Sequence, residues 1–444
     1  CSDHEVNIKI LLDAKVMDGD LSVQQRNELL ASMTESVGDK VLRNNARQTQ
    51  AISLALHRGE QQNAEYQRFV VWLEDLGLLD RKFEFLPSED QLSERVARKQ
   101  PPWTRPELSV LVCYSKVMLK EALLDADLLA DAWLADAVEK AFPRMLTEYC
   151  GGAINSHQLA AEIAATQLAN DLVDRFGFSF FYRQMEATGA SAAEVVRALT
   201  VVVNVLGIDE LWLSIESDES GVSATRQLDL LHILIKLVRR ATRWFLRNKV
   251  KGLACAVGIE QFAKPMHQLL QHWDGLQPQS WQSVDADTDQ TVVEGPIAAM
   301  QTLTENLFLS LGIIEISLHS RQPVERVAEI YAAIGTELLL DELMVKIVEF
   351  APQSRWQDLA RESFFDQLEQ YRRQLTSALL ARGSGDTVSI IEQWRQRQLS
   401  SIMRWRRLMD DQRRHSDTDL ALVTVALSDL FHVIEDLQRM PQFD

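Results

Sequence analysis

Apolar residues recur at helical spacing along nearly the whole of this 444-residue chain, while strict two-residue alternation is almost absent. The pattern predicts an all-α fold, a multi-helix bundle. After Thr104, the residues Leu108, Leu111, Val112, Leu119, Ala122 and Leu123 keep one apolar face, with Lys116 and Lys120 off it. Thr104 caps this helix, Pro106 is tolerated in the first turn because its missing N–H would be unpaired there, and Glu107 closes a capping box. A second long helix starts near Leu159 and ends at Gly177, a position suited to a left-handed cap. Ser191 and Glu194 form a capping box that opens a third. At the start of the chain Ser2-Asp3-His4-Glu5 is another such box, followed by Val6, Ile8, Ile10, Leu11 and Leu12. Residues 20–78 read as two or three helices.

Periodicity lapses between Trp273 and Pro296, where Gly275, Pro278, Ser280, Asp285, Asp287, Asp289 and Gly295 cluster as in a linker or loop. Helices then resume at about Ile297–His319, Pro323–Gly335, Glu337–Phe350, Ser354–Arg382, Asp386–Asp411 and Thr418–Met440, with turns at Gly383–Gly385 and His415–Asp417. A weak internal repeat links Val195–Glu216 to Val327–Ile347 through a shared Asp-Glu-Leu junction. Each copy predicts a helix, a short helix capped by Asp209 or Asp341, and a long helix, Ser223–Lys251 or Ser354–Arg382. Two copies are too few for a solenoid and predict a duplicated packing unit within a bundle.

Composition narrows the function. Lys plus Arg number 46 and Asp plus Glu 64, a net charge of −18. So acidic a chain is a poor match for a phosphate backbone or an anionic membrane, and neither nucleic acid nor membrane is expected as a partner. The longest apolar run, Leu199–Leu206, is far short of a membrane span. Cys1, Cys113, Cys150 and Cys255 are scattered without paired spacing, as expected in a reducing cytoplasm. The chain opens on Cys1 rather than Met, which points to a fragment or a processed product. An N-terminal Cys can also be the nucleophile of an autoprocessed amidohydrolase, but such enzymes need a sheet core.

Several residue sets invite a chemical reading. Glu162, Thr166, Asn170 and Asp174 recur every fourth residue and form one polar stripe. Such a stripe can hold a ligand or proton, or it can fix helix packing by hydrogen bonds; it lacks the Glu-x-x-His spacing of di-metal bundles. Arg43, Asn44, Asn45, Arg47 and Gln48 form a polar cluster that faces either a substrate cleft or solvent. Lys236, Arg239, Arg240, Arg243, Arg247, Lys249 and Lys251 make a basic helix, for which pairing within the protein or between subunits is the default. Asp285-x-Asp287-x-Asp289 lacks the Gly and Glu of a calcium loop, and His267 and His272 do not share a helix face. No Gly-rich strand–helix turn, phosphate loop or nucleophile elbow is present, so no catalytic residue, cofactor site or metal site is assigned within this chain.

Three motifs carry a resemblance: Thr-Arg-Pro-Glu-Leu-Ser (Thr104–Ser109), Glu-Ile-Ala-Ala-Thr…Asn-Asp…Asp-Arg-Phe-Gly (Glu162–Gly177) and Thr-Gly-Ala-Ser (Thr188–Ser191). Together with Arg81–Pro87, they resemble the C-terminal helical region of the large bacterial NAD-specific glutamate dehydrogenases, along the whole chain. The chain departs from the family pattern at Ala160 and Ala161, where a basic pair is usual, and at Asp174, where Asn is usual. The resemblance implies a parent enzyme that oxidises glutamate to 2-oxoglutarate and ammonium with NAD. Its catalytic Lys and Asp and its nicotinamide site would lie upstream of Cys1, so NAD belongs to the parent and not to this chain. It also implies that residues 1–80 continue from the catalytic domain, that 81–272 and 297–444 are helical domains, and that Ser2 donates to the side-chain carboxylate of glutamate. Ser2 as a plain helix cap is the competing reading. The implied partners are the upstream catalytic domain and further copies of the chain. An independent helical interaction scaffold of the same architecture is the alternative function.

Overall fold

The computed structural model describes residues 2–124, 131–217, 222–248, 254–272, 295–350, 355–414 and 420–443. Among them are 21 α-helices and one 3-10 turn, Gly151–Ser156, and no strand, so the all-α expectation holds. The chain divides into two compact units, one of Cys1–Glu260 with Asp285–Met300 and one of Gln261–Val284 with Gln301–Asp444.

The first unit opens with α1 (Ser2–Met17), α2 (Val23–Ser32), α3 (Thr34–His57), α4 (Asn63–Asp75) and α5 (Glu89–Ala97). It continues with α6 (Arg105–Leu124), α7 (Ala132–Ala141), α8 (Arg144–Cys150) and α9 (Ala160–Phe176). Then come α10 (Phe180–Thr188), α11 (Ala192–Val205), α12 (Ile208–Glu216) and α13 (Ala224–Asn248). Starts follow side-chain caps: Ser22, Ser88 and Ser191 each form both arms of a capping box, with Gln25, Gln91 and Glu194. At α6 the Glu107 carboxylate accepts the Thr104 N–H at 2.7 Å, the back-reaching arm of the expected box. Helix α9 is the hub, with α3, α6 and α7 packed on it. Its end differs from the expected cap. Gly177 has φ 95° and ψ 155°, an extended conformation of positive φ that only glycine takes readily, rather than a left-handed turn.

In the second unit, α16 (Val324–Glu337), α17 (Leu340–Glu349) and α21 (Leu420–Gln438) pack on α18 (Arg355–Arg382), while α19 (Thr387–Arg397) packs on α16 and α20 (Leu399–Arg414) on α21. The division between units falls inside α14 (Cys255–His272) and α15 (Gly295–Ser320). Helix α15 is long and apolar enough to cross a membrane by length and composition, but 61% of its apolar stretch is buried inside the protein, as in a core helix. Gly295 and Pro296 begin α15; the rest of the expected 273–296 linker, the His415–Asp417 turn, Lys249 and Lys251 lie outside the described residues.

Two expectations are corrected. The predicted helix Asp386–Asp411 is two helices, α19 and α20, broken at Gln398. There the side-chain amide takes the Trp394 indole N–H at 2.6 Å and donates to the Val433 carbonyl of α21 at 3.2 Å. A tertiary contact thus overrides local periodicity. Asp209 and Asp341 are not helix caps. The caps are Gly207 (φ 61°) and Leu339 (φ 53°), both left-handed and without a side-chain cap bond. The aspartates sit in the first turn of α12 and α17, where their charge still suits the helix dipole, and each pairs with an arginine: Asp209 with Arg175 and Asp341 with Arg372, both at 2.6 Å. The repeat itself is plain in three dimensions, one copy (α11, α12, α13) in the first unit and one (α16, α17, α18) in the second.

Candidate functional site

The residues singled out near the start of the chain come together where α1 meets α3, α7 and α9. Helix α1 buries Ile8, Leu11 and Leu12 in a core shared with Ala137, Val138 and Phe142 around α7, Leu146 of α8, and Ile163 and Ala164 of α9. Two histidines fasten it. The His4 ring lies 3.2 Å from the Ala141 carbonyl, which can only accept, so Nδ1 carries the proton and Nε2 is left to accept from the Asn44 amide at 3.5 Å. By the same logic His157, buried, donates from Nε2 to the Asn7 carbonyl at 3.1 Å and accepts the Leu159 N–H on Nδ1 at 3.0 Å. Ser2 is the first residue of α1, but its side chain lies outside the described residues, and so does any bond of the predicted Ser2–Glu5 box that rests on it. Glu5 is exposed and paired with Lys9 at 2.6 Å.

Of the polar cluster on α3, Arg47 reaches Asp171 of α9 at 2.9 Å, and Asn44 meets His4. The α9 stripe runs from solvent into the core: Glu162 is exposed, Thr166 and Asn170 are half-buried, and Asp174 is 4% exposed. Asp174 ends on the Lys116 ammonium of α6, 2.7 Å from Oδ1. Burial raises its carboxyl above the usual aspartate range, and Lys116 opposes that rise only in part. The basic helix α13 turns inward through Arg239, whose Nη1 lies 3.4 Å from Glu65 of α4; Arg183 also faces that carboxylate, at 3.3 Å. Beside it His232 is buried among Arg58, Lys236 and Arg239, and desolvation first, then those cations, push its pKa down to about 2, so it stays neutral. Among the described residues no three His, Cys, Asp or Glu side chains gather as a metal-holding group.

One open cleft adjoins this region. It lies between α3 and the corner of α7 and α8, holds about 410 Å³, and is lined by Lys40 and Arg43 on one side and Lys140 and Arg144 on the other. Asp39 and Glu139 are the acids present, and Phe142 forms an apolar wall. Half-buried Lys40 donates to the Lys140 carbonyl at 2.8 Å; desolvation first, then Arg43, lower its pKa. Spacing offers a partial signal for this cleft, since Lys40, Arg43 and Arg47 fall three and four apart on α3. Its opposite wall carries no sequence signal of that kind, because residues 132–150 stand outside any predicted helix.

The family model described as "Glutamate dehydrogenase, C-terminal" matches residues 101–432. This chain belongs to that family. Residues 1–55 match a second model, "Bacterial NAD-glutamate dehydrogenase, catalytic domain". Three proteins named NAD-specific glutamate dehydrogenase are similar over nearly all of the chain. That of Pseudomonas aeruginosa is 39% identical over 99% of it, that of Halomonas elongata 36% over 98%, and that of Mycobacterium tuberculosis 30% over 96%. The chain spans about a quarter of their length, 27%, 27% and 26% respectively. In this glutamate dehydrogenase family member, α1, α2 and all but the end of α3 therefore fall in the stretch matched by the catalytic-domain model, and α6 to α20 in that matched by the C-terminal model.

Proposed function

We propose that this chain is a helical module of an NAD-dependent glutamate dehydrogenase, which oxidises L-glutamate to 2-oxoglutarate and ammonium. Its role is to brace the end of the catalytic domain, and it performs no chemistry by itself. The observation that carries this reading is the shared core. Ile8, Leu11 and Leu12, in the stretch matched by the catalytic-domain model, are buried against Val138, Leu146 and Ala164, in the stretch matched by the C-terminal model. Burying three such side chains stabilises by about 2 kcal/mol each, so α1 gains much of its order from helices outside the catalytic match. NAD and the reacting Lys and Asp are held elsewhere in the parent polypeptide, whose catalytic domain is the partner; the assembly is a cytoplasmic homo-oligomer. Ser2, leading α1, is the one substrate contact assigned to this chain, to the side-chain carboxylate of glutamate. The test is glutamate-dependent NAD reduction by the parent enzyme with and without residues 81–444. Loss of activity, or a lowered thermal midpoint of activity, is expected on removal; unchanged kcat, KM and midpoint would overturn the role.

A further inference from the structure

We propose that the cleft between α3 and the α7–α8 corner binds a small anion of at least two charges, a molecule carrying two carboxylates or a pair of phosphates. Four cations converge there, Lys40, Arg43, Lys140 and Arg144, against two acids, Asp39 and Glu139. That is a local surplus of two positive charges on a chain whose net charge is −18. Three of the four cations, Lys40, Arg43 and Lys140, have no carboxylate partner among the described residues. Neither the Arg43 nor the Lys140 side chain makes a hydrogen bond or ion pair among the described residues. Lys40 spends one N–H on the Lys140 carbonyl and keeps two. Arg144 is paired with Glu148, but both side chains are exposed and such a pair is weakly held in water. Of the acids, Glu139 is engaged by the Asn155 amide at 3.0 Å.

The two walls explain why the charges are gathered. Cations left to themselves repel: burial and Arg43 disfavour the charged form of half-buried Lys40, and Asp171, already paired with Arg47, offsets them only in part. Such an anion supplies the missing charge. It would reach two cations from α3 and two from the α7–α8 corner, with the Ser36 hydroxyl as a further donor; the Thr147 O–H is already given to the Arg144 carbonyl at 2.8 Å. The open cleft of about 410 Å³ has room for such a ligand. Because Lys40 and Arg43 fall in the catalytic-domain match and Lys140 and Arg144 in the C-terminal match, an occupied cleft ties the two stretches together. Such a ligand tightens the grip on α1 from a position beside it, which is the geometry of an effector. Binding itself needs only this chain, whether or not the bracing role holds.

The experiment is calorimetric titration of the 444-residue chain, at low ionic strength to limit screening, with pyrophosphate and separately with succinate. Stoichiometric binding of at least one probe is expected, weakened about five-fold or more by Arg43→Gln and likewise by Lys140→Gln, each of which removes one cation from the ligand. Arg98→Gln, which deletes an exposed cation paired with Glu94 on α5, is expected to leave the affinity unchanged. Tighter pyrophosphate marks a phosphate ligand and tighter succinate a dicarboxylate. Binding of neither probe, or equal weakening by Arg98→Gln, would overturn the proposal.

Discussion

At the scale of single residues, buried charge is what most distinguishes this helical protein. Lys116 and Asp174 are the plainest pair. Lys116→Met leaves Asp174 buried without its partner and is expected to cost about 3 kcal/mol at neutral pH. The raised carboxyl of Asp174 gives the sign of the pH dependence. Its cost is incurred only when it ionises, so the defect should shrink as pH falls toward the unfolded aspartate value of about 4, below which both states are protonated. Denaturant melts at pH 7 and pH 4.5 read this directly. In the second unit Glu369 is buried, with Arg373 at 2.7 Å, and Arg373 also holds Glu315 at 2.7 Å. Burial pushes Glu369 up to about 7. A raised carboxyl pKa favours folding below the unfolded value and loses that advantage as pH climbs to the folded one. Wild-type stability should therefore carry a decline between about pH 4.5 and 7 that Glu369→Gln lacks, as thermal melts across that range will show. Ser2 separates by a different measurement. If its hydroxyl serves glutamate, Ser2→Ala in the parent enzyme raises the glutamate KM roughly ten- to a hundred-fold, the cost of one donor to a charged group. If it only caps α1, the KM holds and about 1 kcal/mol of stability is lost.

At the scale of elements, capping boxes at Ser191 and Thr104 were legible in the sequence, whereas the side-chain caps at Ser22, Ser88 and Asp131 were not read there. Ser191 with Glu194, and Glu107 reaching back to Thr104, were readable because each bond spans three residues of sequence. What else stayed hidden depends on distant residues. The break at Gln398 is set by Val433 on α21, and the caps at Gly207 and Leu339 are backbone conformations without a side-chain signature. The matched junctions predict an asymmetry. Gly207 sits at φ 61°, and an added Cβ would meet the Glu210 carboxylate at 2.6 Å, so Gly207→Ala should lower stability by about 1 kcal/mol, measurable by chemical denaturation. The candidate site divides the same way. Lys40, Arg43 and Arg47 share one readable face of α3, whereas Lys140 and Arg144 join them only because α7 and α8 fold back beside it. His4 and His157 were beyond reach because their partners, the Ala141 and Asn7 carbonyls, lie 137 and 150 residues away.

At the scale of the whole molecule, one core joins the stretch matched to a catalytic domain, residues 1–55, to a much longer helical region. On the proposed function, the helical region supplies packing and the parent's chemistry lies outside this chain. The isolated chain should accordingly give a circular dichroism spectrum dominated by helix and should neither bind NAD stoichiometrically in calorimetry nor reduce it with glutamate. The bracing claim is tested most directly by hydrogen exchange of the α1 amides in the 444-residue chain, wild type against Leu146→Ala. Leu146 is fully buried in α8, outside the catalytic match, and its truncation removes core packing worth about 3 kcal/mol. The account predicts that Ser2–Met17 exchanges faster in the variant, in step with α7 to α9. Accelerated exchange in α7 to α9 with α1 unchanged would show that α1 does not depend on the helical core, and would contradict it.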